Sequence, residues 1–416
     1  MVSDIVAAET SWQPILEGSL AEDARAAVLD VARAIANHEG ASSGTRPSDL
    51  TLFWAYVAGA FDDDWVSNSY DEATGALCAH VERGLAGISL YGGLAGAGWV
   101  LAHVSEEGAA DEVLVEIDSI ILKALEVDRW TSHYDLVGGL VGHAVYLLER
   151  VTSADAPIAR EALDRVVDHL AATAEATADG VTWHTAPQLL PPQQREACPD
   201  GYFNCGLAHG VPGVVAVLGR IATLPDAAPS VKTLCGEAMR WLHGRQLPPD
   251  PRGRYPGWLK RGETGTPTRT AWCYGDPGIA IAMWSASLRT ELPTEPAIAL
   301  ARECIARAPE LCGVLDTGLC HGASGLAHIF NRWFQVSGDP VFRDAACTWF
   351  RRTLDLRRPE GVAGFPALAP KTGGAELEWI ASPDILVGAT GVALAMLAAL
   401  EPVEPKWDRL LQCDMP

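Results

Sequence analysis

The sequence predicts an all-α fold, a double-layered α/α toroid, from three observations. One short pattern recurs six times, each copy opens an apolar run of helical length, and amphipathic segments fill the intervals between copies. The pattern is a few small or polar residues, then Gly-x-x-Gly, then the apolar run. Its copies are Tyr91 to Val100, Val137 to Leu147, Ala208 to Leu218, Cys273 to Met283, Cys320 to Phe330 and Val387 to Leu397, at irregular spacings of about 46 to 71 residues.

Each copy reads as a helix that begins at its glycine pair, where a missing side chain permits a tight turn or the close approach of another backbone. The run that follows is apolar nearly all round, so it must be buried on both sides. Asp111 to Asp128, Arg160 to Thr173 and Asp339 to Leu356 instead carry one charged face and read as an outer layer. Buried helices alternating with amphipathic ones build a toroid whose repeat starts line one end of its centre. Thr182 to Phe203, Pro248 to Thr268 and Pro359 to Pro383 lack helical periodicity and are expected as loops or short strands over that end.

The chain of 416 residues is 48% hydrophobic and 20% charged, a globular composition, with no apolar run near the roughly 20 residues that span a bilayer. Met1 to Pro14 shows no basic segment before an apolar stretch, so no secretory signal is expected, and the cytoplasm is the expected location. Ten scattered cysteines lack the dense spacing of a disulfide framework. A net charge of −22 argues against nucleic acid as a partner. The local basic stretch of Arg252, Arg254, Lys260, Arg261 and Arg269 reads as solvated surface.

The repeat frame also sorts the residues that could carry chemistry. Cys273 and Cys320 both stand two residues before the first glycine, and His209 and His321 both stand one before it. Equivalent positions in a toroid share one axial level, which brings together Cys273, Cys320 and His321 although the two cysteines are 47 residues apart. Two thiolates and an imidazole suit a single Zn²⁺ with its fourth position open. The same cysteines also read as ordinary buried packing, as does Cys205 near His209. His209 is an acid-base candidate or a structural histidine, and His133, His143, His184 and His328 are weaker candidates. Asp135 and Asp384, each four residues before a first glycine, read as helix caps or as site carboxylates. Arg269 could serve an anion at the centre or pair at the surface. A zinc ion neutralised by two thiolates is better suited to holding a substrate thiol as thiolate than to making hydroxide.

Ala208-His209-Gly210, Arg269-x-Ala271-Trp272-Cys273-Tyr274-Gly275 and Cys320-His321-Gly322, with Tyr134-Asp135 and Gly201-Tyr202-Phe203-Asn204 upstream, resemble the LanC-type lanthipeptide cyclases. The resemblance runs over most of the chain, and the first 80 or so residues add no independent signal. It implies about seven hairpins, the seventh degenerate, in a single toroid domain over residues 1–416, with an inserted subdomain or lid near residues 181–203. It implies a stand-alone enzyme that adds peptide cysteine thiols to dehydroalanine and dehydrobutyrine in a dehydrated precursor peptide of leader and core, closing thioether rings. Cys273, Cys320 and His321 would hold one zinc per chain. His209 would move the proton, Asp135 would orient it, Arg269 would stabilise the enolate, and Tyr274 would assist. A dehydratase and an exporter are the implied partners, and through such a complex the enzyme would sit peripherally at the membrane.

Two other readings share the motifs. One is a related enzyme that adds glutathione to dehydrated residues, the other a noncatalytic scaffold with structural zinc. Toroidal glycosidases and prenyltransferases would need paired carboxylates or an Asp-Cys-His zinc set, and neither is visible.

Overall fold

A computed structural model describes residues 12–40, 45–84, 87–106, 108–371 and 376–415. The secretory-signal reading rests mostly on residues 1–11, which lie outside that set. The chain opens with α1 (Gly18–Ala36), α2 (Pro47–Ala60), α3 (Asp64–Glu82), α4 (Leu94–Val104), α5 (Asp111–Leu125), α6 (Leu140–Ser153) and α7 (Pro157–Thr173). The strands β1 (Glu175–Thr177), β2 (Gly180–Thr182) and β3 (His184–Thr185), the short α8 (Pro192–Ala197) and β4 (Tyr202–Asn204) follow. Next come α9 (Val211–Ile221), α10 (Pro229–His243), β5 (Trp258–Leu259), α11 (Asp276–Thr290) and α12 (Glu295–Ala306). The chain continues with α13 (Ala323–Ser337), α14 (Pro340–Asp355), β6 (Ala367–Pro370), β7 (Leu377–Ile380) and α15 (Ala389–Leu400).

These elements fall into two compact units, Met1–Gly84 with Gly313–Lys406, and Leu85–Cys312 with Trp407–Pro416. In the first unit α2 packs on α3, α13 on α14, and α15 on α1. In the second the pairs are α4 with α5, α6 with α7, α9 with α10, and α11 with α12. The described residues therefore hold seven helical pairs. Inner helices α9 and α15 are buried at every residue, whereas outer helix α14 buries only the stripe Phe342, Ala346, Trp349, Phe350 and Thr353. The unmarked seventh pair is α2 with α3. Helix α2 starts at Pro47 with no glycine pair, yet Thr51 to Ala55 are all buried.

All six glycine-marked helices begin at the residue after their first glycine. Close approach, more than backbone freedom, demands these glycines. Only Gly275, at φ 130°, lies in the left-handed region; the other five first glycines are extended. A Cβ on any second glycine would meet the carbonyl oxygen six residues earlier, at 1.8 Å for Gly96, 2.1 Å for Gly278 and 1.9 Å for Gly391. The pre-helix loop folds back onto the first helical turn, and a hydrogen atom is all that fits there.

The Gly- and Pro-rich stretches form the strands. Strands β3, β4 and β5 make one antiparallel sheet in which Phe203 faces both His184 and Leu259. This sheet reaches beyond residues 181–203 to recruit Trp258 and Leu259, and residues 181–203 themselves contain the helix α8, which periodicity did not suggest. The C-terminal segment from Trp407 onward is a buried strut of the second unit. Leu411 O accepts from Trp272 Nε1 at 2.9 Å, Leu410 O accepts from Tyr91 Oη at 2.9 Å, and Asp414 pairs with Arg289 at 3.0 Å.

Candidate functional site

The loops that precede the inner helices are joined by backbone hydrogen bonds at matching frame positions. In the second unit Tyr91 N donates to Val137 O, Leu136 N to Ala208 O, and Ala208 N to Cys273 O; in the first, Cys320 N donates to Leu386 O at 2.7 Å. Residues two before the first glycine therefore stand side by side within each unit, which sets His209 next to the Cys273 loop.

Asp135 and His209 meet across this ladder. His209 Nδ1 lies 2.6 Å from Asp135 Oδ2, and the other carboxylate oxygen accepts from Gly138 N at 2.9 Å. Neither Asp135 nor Asp384 caps its helix: Gly139 and Gly388 occupy the caps, and each aspartate instead braces its own loop, Asp384 through Val387 N at 3.1 Å. Burial opposes charge on both members of the Asp135–His209 pair. The hydrogen bond and mutual attraction outweigh it, holding Asp135 below its ordinary pKa and lifting His209 above its own.

Tyr274 stacks near His209, with ring centroids 5.9 Å apart. Asn204 Oδ1 accepts from Gly206 N at 2.8 Å, which fixes the amide so that Nδ2 donates to Tyr274 Oη at 3.0 Å. Tyr274 Oη is thus an acceptor toward Asn204, and its own proton is within reach of Tyr202. Burial pushes its pKa far up, so it stays protonated at neutral pH. Arg269 is exposed, on the loop leading to Cys273.

Among the described residues, one group of three His, Cys, Asp or Glu side chains stands within metal-ligand reach. It is Cys273, Cys320 and His321, whose ligand atoms all lie within 4.8 Å of one another. The donor set fits zinc: two sulfurs and one imidazole, three ligands rather than four. His321 Nε2 lies 3.2 Å from Asp316 Oδ2, and the buried Asp316 also accepts from Gly318 N at 3.1 Å. A carboxylate on Nε2 makes Nδ1 the atom offered to a metal. Sequence reasoning missed Asp316. A signal existed, since Asn204, Asp316 and Ser382 all stand six before a first glycine and each accepts from the backbone N two residues on.

A cavity of about 480 Å³ adjoins His209, Asp135 and Tyr274. Residues 185–194 contribute Thr185, Leu189, Leu190, Pro191 and Gln194 to its lining, and Arg269 is not part of that lining. The remaining candidates are structural. Cys205 is fully buried with its thiol pushed up to about 12, His143 and His328 are buried in α6 and α13, and His184 packs edge-on against Phe203. His133 alone joins the cavity wall. The basic stretch is mostly ion-paired, Arg254 with Glu303, Lys260 with Glu263 and Arg261 with Glu175.

A family model described as lanthionine synthetase C-like protein matches residues 50–412. Among solved structures, nisin cyclase superposes at a TM-score of 0.73 with 18% identity, covering 94% of this chain and 97% of that one. The fold is that α/α toroid. A cellobiose 2-epimerase from Spirochaeta thermophila DSM 6192 aligns over 71% of this chain and 98% of that one at 14% identity, but at a TM-score of 0.26 it carries no argument. No helix among the described residues is long and apolar enough to cross a membrane.

Proposed function

Because the chain belongs to the lanthionine synthetase C-like family, we propose that it is a zinc-dependent cyclase closing lanthionine and methyllanthionine rings in a dehydrated precursor peptide. The observation that carries this is the Cys273, Cys320 and His321 group, a complete three-ligand zinc set. A zinc ion held there would supply one thing, the stabilisation of a peptide cysteine as its thiolate.

The chain's own residues then manage one proton. His209, held by Asp135 at 2.6 Å, takes the proton that leaves the cysteine sulfur. The carbon–sulfur bond forms at the alkene β-carbon while the π pair moves to the α-carbon and its carbonyl as an enolate. The imidazolium returns a proton to the α-carbon, so atoms and charge balance and the product has the mass of the substrate. Tyr274, with its oxygen already accepting from Asn204, donates toward the developing enolate oxygen. Arg269 meets the same oxygen from the exposed loop before Cys273 once the peptide is bound. The enzyme works in the cytoplasm after a dehydratase and before an exporter, as one domain with residues 181–203 as its lid.

Zinc quantification combined with thiol alkylation tests the reading. Wild-type protein with one zinc per chain should consume the free thiols of a dehydrated peptide without changing its mass. Sub-stoichiometric zinc, or modification only when glutathione is added and the mass rises, would overturn it.

A further inference from the structure

The lining of the cavity beside His209 is chemically mixed. Val137, Leu189, Leu190 and Pro191 give it an apolar part, beside Asp135, His209 and Tyr274 and the uncharged side chains of Thr185 and Gln194. Among the described lining residues Asp135 is the one carboxylate, already engaged by His209 and Gly138, and there is no lysine or arginine. At about 480 Å³ it has the size of a ligand pocket rather than a packing defect. Leu190 is buried against Cys198 and Tyr202 and so fixes the wall, whereas Leu189 is only half-buried and meets whatever enters.

We infer that this cavity is the subsite for one uncharged, apolar side chain of the peptide, belonging to a residue within two positions of the dehydrated residue under attack. The inference rests on the cyclase reading. The proposed proton carrier is itself part of the wall, and an extended peptide advances only about 3.3 Å per residue, so the occupant must be a near sequence neighbour of the reacting carbon. A carboxylate there would give up water to sit against Leu189, Leu190 and Pro191 while the His209 imidazole is already paired with Asp135, and an ammonium would find the lining carboxylate engaged. The residues near 189 are thereby specificity determinants that select which dehydrated residues are closed into rings.

The test uses the full-length, zinc-loaded protein and single-ring peptides in which each of the two positions on either side of the dehydrated residue is set in turn to Leu, Ala, Asp or Lys. At one position Leu should exceed Asp and Lys at least about tenfold in kcat/KM for thiol consumption. Leu189→Asp should collapse that preference and favour Lys over Leu there, and Pro191→Asp, also at the exposed lip, should shift it the same way. Thermal melts establish that both variants are folded. Equal rates for Leu and Asp at all four positions, or variants that slow every peptide equally, would overturn the subsite. Should wild type bind zinc yet close no ring, the cyclase reading fails by itself. Dissociation constants for the same peptides then decide the subsite, with Leu tighter than Asp required.

Discussion

At the scale of single residues, the Asp135 carboxylate does two things that one substitution can separate. Asp135→Asn keeps an oxygen for Gly138 N but removes the charge that holds His209 at 2.6 Å. The variant should retain zinc and its fold while ring closure falls roughly 100-fold, the scale of a lost acid-base contribution; unchanged turnover would remove His209 from the proposed mechanism. Asp316→Asn acts on the proposed zinc site instead. Without the carboxylate at 3.2 Å from His321 Nε2, zinc affinity measured by chelator competition should fall about 10- to 100-fold. His143 gives a pH signature. Burial lowers its pKa from 6.5 to about 4, so between those values the unfolded chain takes a proton that the folded chain refuses. Its contribution is therefore complete above pH 6.5 and declines as pH falls toward 4, by roughly 3 kcal/mol. His143→Leu should flatten the melting temperature over that window. The frame in the sequence set Cys273 level with Cys320 and His321, whereas the pairing of His209 with Asp135, which stand at different frame positions, was implied only by the family resemblance. Asn204 and Asp316 were harder, because their roles depend on which side-chain atom the backbone claims first.

At the scale of elements, the glycines divide into those the packing requires and those it does not. Gly391→Ala would bring a Cβ to 1.9 Å from Ile385 O, a backbone atom that cannot swing aside, and should cost about 3 kcal/mol or more. Gly75 in α3 and Gly236 in α10 have nothing within 4 Å. Alanine at either should instead stabilise its helix by about 0.5–1 kcal/mol in denaturant titrations. The same distinction explains what the sequence disclosed of the fold. Six inner helices announced themselves because their loops fold back onto a glycine. Helix α2 did not, because it begins at Pro47 and anchors Thr51 by hydrogen bonds to Pro47 O and Ala73 O. Helix α8 was missed because its 6 residues are too few to show a period.

At the scale of the whole molecule, the chain leaves the second unit after Cys312 and returns to it only at Trp407. No local pattern signals such a return, since the contacts it makes are remote in sequence, Trp272 with Leu411 being 139 residues apart. The returning segment buries Trp407, Leu410 and Leu411 and adds the Asp414 pair with Arg289 and that of Arg409 with Glu149 at 3.4 Å. Three large apolar side chains at about 1.5–3 kcal/mol each amount to on the order of 5 kcal/mol or more, comparable with the net stability of an ordinary domain. Trp407→Ala alone should cost about 3–5 kcal/mol, and a stop after Lys406 should leave the second unit largely unfolded at 37 °C. Hydrogen exchange locates the effect. Amide protection in α4, α6, α9 and α11, whose loops or side chains the segment contacts, should drop towards that of an unfolded chain in the truncated protein. If those four helices exchange as slowly as in the full chain, the segment is packing on a core that is already complete without it.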